Sequence, residues 1–418
     1  MDDLSRGRLE ALVREHEGRR RRCINLIASE NVLSPAVRSQ LSTDLTGRYG
    51  DYPGRDTEHR KYFGLPYVRE IESGVTALAA RLFGARYVEP RPLSGHVAGA
   101  GVLMGLCRPG DRVLEIGSDG GGHRLAAKLA ESRLIDLEVA FLPFDSATWN
   151  IDTAAARALI EAAWPRLVIL GSSTFLFPHP VREIAETTHA LDGTVLAYDA
   201  SHVFGLIAAG TFQAPLAEGA DVVFGSTHKT LPGPQGGLIL TNDDGLIDAI
   251  TPAVYPALVT NHHLFRLPAL GLALLEMETW GGQYATATVA NARRLGAELA
   301  RRDLFVAGAA QGYTRSHTLL VTVPAWGTAQ EVDARLERCG IIVTTATWPH
   351  NPGRVAIRLG LQEVTRLGAG DGDMPELADL LARALAQEEP AEAVAQEVAR
   401  WALQRLGACR YTWADDGA

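Results

Sequence analysis

At 418 residues the chain is longer than one hydrophobic core ordinarily fills, which predicts two or three domains. Hydrophobic residues at 46% and charged residues at 21% give the balance of a soluble globular protein and exclude extensive disorder. A net charge of −9 with no basic patch argues against a nucleic-acid partner, and the one dense cationic run, Arg19 to Arg22, reads as a solvated helix face.

In chain order, residues 5–22 read as a polar helix with a sparse apolar side of Leu9, Leu12 and Val13. Residues 24–64 are irregular and rich in Asn, Ser, Pro, Gly and Tyr, a length that marks functional loops more often than idle ones. Residues 66–83 carry apolar side chains at helical spacing. Short apolar runs then alternate with helices: 112–116, 137–142, 167–170, 195–198, 222–224 and 238–240 read as buried strands, with helices at 152–163 and 181–190 among those between them. Such alternation predicts an α/β fold, a mostly parallel sheet covered on both faces. Two helices, 264–280 and 285–302, lead into a smaller α+β unit with strands Thr318–Val323, Ile341–Val343 and Val355–Arg358 and a helix at 329–338. The expected division is residues 1–40 as an N-terminal arm or interface segment, 41–270 as a large ligand-binding domain and 271–418 as a small C-terminal domain.

Cys23, Cys107, Cys339 and Cys409 form no CxxC pair, so neither a zinc site nor a disulfide framework is expected. The N-terminal residues lack the apolar stretch of a secretory signal, and no run of about 18 apolar residues suggests a membrane span. A cytoplasmic protein with no membrane partner is the expectation. Only three of the 40 basic side chains are lysine: Lys61, Lys128 and Lys229. Lysine can give up its proton and act as an amine nucleophile, which arginine cannot, so a lysine surviving such a bias draws attention.

Polar residues gather where strands are predicted to end. Tyr198-Asp199-Ala200-Ser201-His202 closes one strand and Gly225-Ser226-Thr227-His228-Lys229-Thr230 the next. Ser94-Gly95-His96 precedes a helix of small residues, and Gly121-Gly122-His123 follows a strand. Sheets of this type bind ligands beyond the carboxyl ends of their strands. An aspartate, histidines and a rare lysine there suit pyridoxal phosphate: a lysine for the Schiff base, an aspartate for the pyridinium nitrogen, a helix N-terminus for the phosphate, an imidazole over the ring.

The segments Leu26-Ile27-Ala28-Ser29-Glu30-Asn31, Tyr52-Pro53-Gly54, Asp199…His202 and Ser226-Thr227-His228-Lys229-Thr230-Leu231, followed by Gly233-Pro234 and Gly236-Gly237, resemble serine hydroxymethyltransferases from about residue 24 to about 370. The resemblance implies a fold-type I (aspartate aminotransferase-like) pyridoxal-phosphate enzyme, a homodimer with shared active sites. It implies Lys229 as the cofactor lysine, Asp199 on the pyridine nitrogen, His202 near the ring oxygen and His123 stacked on the ring. Ser94, Gly95 and His96, with Ser226 and His228, fall at the phosphate, and Ser173 on the substrate side of the ring. Arg358 would hold the amino acid's carboxylate as a bidentate fork. Ser29, Tyr49 and Tyr62 would line the substrate pocket, the tyrosines reaching across the dimer.

The departures from the family point elsewhere. Asp51 stands where the family has a glutamate that handles protons, and Arg55–Arg60 are extra residues. His96 replaces a phosphate-loop serine, residues 257–263 replace a glycine-rich partner loop, and Gln235 replaces an arginine. Val97-Ala98-Gly99 and Thr344–Thr347 stand where folate-binding asparagines are expected. The reading is an enzyme that cleaves and forms the Cα–Cβ bond of L-threonine or L-serine, holds the glycine carbanion as a quinonoid and passes it to another aldehyde, with tetrahydrofolate doubtful. The catalytic set is Lys229, Asp51, His202, His228 and Tyr49. The alternatives are a tetrahydrofolate-dependent hydroxymethyltransferase acting on serine or an α-substituted serine, and, from another class, a non-catalytic scaffold.

Overall fold

The computed structural model describes residues 4–322, 327–349 and 351–414. The larger of its sheets has seven strands, in the order Tyr87–Glu89, Gly237–Thr241, Val222–Ser226, Val195–Asp199, Leu167–Leu170, Asp111–Ile116 and Leu137–Leu142. The last five are mutually parallel, and Gly237–Thr241 runs antiparallel to both its neighbours. Side chains alternate across the pleat. Val168, Leu170, Leu196, Tyr198 and Val223 enter one core; Leu167, Ile169, Val195, Ala197, Val222 and Phe224 enter the other, on the opposite face. This two-sided burial explains why these strands read as continuous apolar runs.

The helix Pro66–Phe83 starts on a proline and stops at Gly84, whose φ of +64° ends it in the left-handed conformation. It buries Val68, Val75 and Leu78, and with them Glu72, a carboxylate with no place on an ordinary core face. The expected pair of helices at 264–280 and 285–302 is one continuous helix, Arg266–Ala300. Gly281-Gly282, which falls between the two expected helices, does not interrupt it; the space beside Gly281 is taken by the Met277 side chain. Leu270, Leu274 and Met277 of this helix sit in the large core, and Ala292, Leu295 and Leu299 in that of the smaller unit.

The smaller unit has an antiparallel sheet in the order Phe305–Val306, Thr318–Thr322, Asn351–Gly360, Thr344–Trp348. The last expected residue of its second strand, Val323, lies outside the described residues. The expected strand at 355–358 extends over Asn351–Gly360. Ile24–Asn25 pairs in parallel with Ile341–Ile342, so the segment after the first helix, Arg6–Arg20, is stitched to this unit. Residues 24–64 are largely irregular, as expected, apart from short turns of helix such as Pro35–Ser39, capped by the Ser34 hydroxyl.

Candidate active site

Three neighbouring strands end at one edge of the large sheet, and their last residues deliver polar groups there. Asp199 ends Val195–Asp199, and its Oδ1 accepts from the backbone N–H of Ser201 at 2.9 Å. Gly171, just past Leu167–Leu170, has φ +129°, and a Cβ there would lie 2.3 Å from the Asp199 carbonyl oxygen. Only glycine lets the two strand ends come this close.

Ser226 ends the third strand, and its N–H donates to Ser201 Oγ at 3.1 Å. Across from it, the helix Gly95–Leu106 begins under a cap from Ser94, whose hydroxyl accepts from Val97 N–H at 3.1 Å. A Cβ on Gly95 would lie 2.3 Å from Ser226 Oγ and 2.9 Å from Ser201 Oγ. The hydroxyls of Ser94, Ser201 and Ser226 therefore gather around Gly95 at a helix N-terminus, a setting that favours an anion.

Lys229 follows in the loop. Its carbonyl accepts from Asn31 Nδ2 at 2.7 Å, and Asn31 also bonds the Tyr284 hydroxyl at 2.9 Å. Burial pulls the Lys229 amine down to about 8; Asp199 opposes the shift and Arg358 adds to it. The cost of burying an ammonium thus yields an amine readily available as a free base.

Imidazoles surround this lysine. His202 is buried, its Nδ1 has no hydrogen-bond partner, and it stacks on His317 at 5.9 Å. Burial, then the nearby Lys229 charge, holds His202 well below the usual histidine range. His317 contacts the Ala28 carbonyl at 3.1 Å, and burial takes it to about 3. His228, half-buried with an unpartnered Nδ1, is lowered to about 4 by burial and by Lys229. His123 lies 3.5 Å from His96 and 3.5 Å from the Lys128 amine. Burial brings His123 to about 4 against the pull of Asp199. These rings are neutral at physiological pH and able to stack or accept.

Arg358 comes from the smaller sheet, paired with Leu320 on one side and Thr344 on the other. Its Nη1 donates to the Ser173 carbonyl at 2.8 Å, while its Nε is buried without a partner. Ser173 is itself held by its N–H on the Gly121 carbonyl at 2.7 Å. Ser29 follows Ala28 on a strap fixed by Gln362, whose Nε2 donates to the carbonyls of Ile27 and Glu30 at 2.8 and 2.6 Å. It lines a cavity of about 1100 Å³ shared with Asn31, His228 and Arg266.

Tyr49, Asp51 and Tyr62 are placed differently. Tyr49 and Tyr62 are exposed, with ring centroids 5.3 Å apart. Asp51 is buried, and its Oδ1 lies 4.0 Å from His262 Nδ1. Among the described residues, none of the three shares a hydrogen bond, ion pair or ring contact with Lys229, Asp199 or the histidines around them.

Sequence reasoning passed over Ser201, Asn31, His317 and Arg266. Ser201 and Asn31 lie inside segments already singled out. His317 had one signal: a histidine at the threshold of an apolar strand. Arg266 had none, being one arginine among many, yet it is buried with its Nε and Nη1 unpartnered.

The groups present fit pyridoxal phosphate. A buried amine of lowered basicity sits in the field of one carboxylate, a hydroxyl-lined helix N-terminus lies beside it, and unpartnered nitrogens of His202, His228 and Arg358 remain. Fold and site together define a fold-type I, pyridoxal-phosphate-dependent enzyme. The sequence profile described as serine hydroxymethyltransferase matches residues 5–381. Curated relatives of that name include those of Methanopyrus kandleri, 43% identical over 91% of this chain and 89% of the relative, and Pyrobaculum arsenaticum, 42% identical over 92% and 89%. A solved structure of L-threonine transaldolase from Pseudomonas fluorescens, in its internal aldimine state, aligns with a TM-score of 0.91 at 30% identity, covering 97% of this chain and 92% of that one. The chain belongs to the serine hydroxymethyltransferase family, and its chemistry is the pyridoxal-phosphate-dependent Cα–Cβ chemistry of that family.

Proposed function

We propose that the protein cleaves L-threonine or L-serine between Cα and Cβ and joins the glycine fragment to a second aldehyde without folate. The observation that carries this reading is Asp51. The family's longer carboxylate is replaced by one that is 4% exposed and lies against His262. A shift of about 1 Å in a proton-handling group can remove a large part of its effect, and transfer to folate asks more of that group than cleavage of a β-hydroxyl substrate does. The 0.91 TM-score with a threonine transaldolase supports the same reading. The folate-dependent alternative has its own support in relatives named serine hydroxymethyltransferase at about 40% identity.

Pyridoxal phosphate, when bound, withdraws electrons from the amino acid's Cα. Lys229, whose amine is of lowered basicity, would hold it covalently, and Asp199 would pair with the ring nitrogen. His123 would cover the ring, and His202 would serve its oxygen. Ser94, Gly95, His96, Ser226 and His228 would hold the phosphate. Arg358 turns its free Nε edge to the substrate carboxylate, while the bond to Ser173 fixes the guanidinium plane. Tyr49, Asp51 and Tyr62 complete the site of a second copy, which makes the functional unit a homodimer. The separation of these three from the Lys229 group, and the exposure of the neighbouring Phe63 and Tyr67 at 95% and 77%, support that arrangement. No helix among the described residues is long and apolar enough to cross a membrane, and a cytoplasmic location is part of the proposal.

Incubation of the holoenzyme with threonine or serine, with and without tetrahydrofolate, tests the reading through aldehyde release. Folate-independent release of acetaldehyde from threonine is expected. Turnover confined to serine with folate would overturn it.

A further inference from the structure

Beneath the loop that carries Tyr49 and Tyr62 lies a buried polar assembly with an imidazole at its centre. His262 is 0% exposed, and neither ring nitrogen has a hydrogen-bond partner. Its Nε2 lies 3.3 Å from Glu72 Oε1, and its Nδ1 lies 4.0 Å from Asp51 Oδ1, itself buried and unpartnered. The far carboxylate is fixed: Glu72 accepts from the Tyr52 hydroxyl at 2.7 Å and from Arg60 at 2.7 Å. Arg60 also donates to the Gly50 carbonyl at 2.6 Å, and the Lys61 N–H donates to the Asp51 carbonyl at 2.8 Å, so the assembly clamps both sides of Asp51 in the chain. Tyr52 meets the His262 ring edge-on at 5.7 Å.

An enclosed imidazole with both nitrogens unpartnered is costly in a core unless something offsets it. Here each nitrogen faces a carboxylate, and only one of those carboxylates is otherwise satisfied. We propose that His262 is a positioning residue, the middle of an Asp51–His262–Glu72 relay anchored on Arg60, which sets the orientation and protonation of the Asp51 carboxyl. This inference rests on the reading that Asp51 serves the reacting centre.

The titratable and charged groups facing Asp51 are His262 from the segment before the long helix, Lys61 from its own loop and Arg91 from the turn after the first strand of the large sheet. Tyr255 faces it too, from the turn preceding His262. Burial raises the Asp51 carboxyl above its usual range, and His262 is the largest of the influences that bring it back down. Burial would likewise raise Glu72, but His262, Arg60 and Tyr52 hold it at about 2, so the far end of the relay stays ionised.

The sign of the effect follows. With His262 gone, Asp51 loses the strongest influence favouring its charged form, so its pKa rises. The carboxylate needed to accept a β-hydroxyl proton is then present only at higher pH. The test is the pH profile of kcat/KM for threonine cleavage by the holoenzyme, comparing wild type, His262→Gln, Asp51→Asn and the double variant. In His262→Gln the acidic limb should move up by about one unit, which is about a tenfold loss below the limb with little change above it. Asp51→Asn should lower activity and remove that limb, and adding His262→Gln to it should have no further pH-dependent effect. Should His262→Gln fail to retain cofactor, His262→Asn carries the same expectation. An unmoved limb, or an equal loss at every pH, overturns the relay while leaving the role of Asp51 intact. A wild-type profile in Asp51→Asn instead overturns the reading on which the relay rests.

Discussion

Arg358 Nη1 and the Ser173 carbonyl oxygen are 2.8 Å apart, and this bond joins the small sheet to the carboxyl edge of the large one. One edge of the guanidinium is spent on the protein, while the buried Nε is left without a partner. A planar cation held this way can present two parallel N–H groups to a carboxylate, which a lysine ammonium cannot.

Arg358→Lys should therefore raise the KM for the amino acid by about 10- to 100-fold while cofactor absorbance is retained. Steady-state kinetics with threonine and serine check it. An unchanged KM would assign the carboxylate to another residue.

The lowered basicity of Lys229 gives a pH prediction. A neutral amine is required to attack the cofactor's aldehyde carbon, and this amine titrates at about 8. Covalent capture of pyridoxal phosphate by apoenzyme should accelerate as pH rises through that value. Because Asp199 favours the ammonium form, Asp199→Asn should move the midpoint to lower pH. Stopped-flow absorbance follows both, and Lys229→Ala should show no borohydride-stable link at any pH.

Asp199→Asn should also lower kcat by at least about 100-fold in a protein that still folds and binds cofactor, since an amide does not stabilise a protonated ring nitrogen. Near-normal turnover would remove Asp199 from that role.

Gly171 gives a prediction on structure. Its φ of +129° is open to glycine alone, and an added Cβ would meet the Asp199 carbonyl oxygen at 2.3 Å. Gly171→Ala should destabilise the fold by about 1–3 kcal/mol and loosen cofactor binding, because the strand ends that set Asp199 must part. Thermal denaturation of apo- and holoenzyme measures both effects.

The inner strands of the large sheet were legible because they are buried on both faces and so appear as unbroken apolar runs, 167–170 coinciding with the observed limits; the edge strand 137–142 also coincides, although it is only partly buried and carries the exposed Glu138. The helix Arg266–Ala300 was read as two, 264–280 and 285–302; the gap holds Gly281-Gly282, where packing within the fold overrides the local helix penalty of glycine. At the site, Lys229, Asp199 and His202 stood out because they follow apolar strands directly. His262 and Glu72 did not. One lies in an irregular segment and the other on a helix that otherwise reads as amphipathic, and their meaning comes from meeting each other at 3.3 Å. No pattern along the sequence carries that contact.

The most direct measurement of the central claim uses threonine labelled with carbon-13 at Cα and the holoenzyme, with benzaldehyde as probe acceptor and no folate. Mass spectrometry should find the labelled carbon in a new β-hydroxy amino acid bearing the phenyl group, with acetaldehyde formed in equal amount. In the same assay Asp51→Glu should leave this transfer unchanged or reduced while raising any serine–folate activity. If the label stays in threonine, and the wild type instead converts serine to glycine only when tetrahydrofolate is added, the account is contradicted and the protein is a folate-dependent hydroxymethyltransferase.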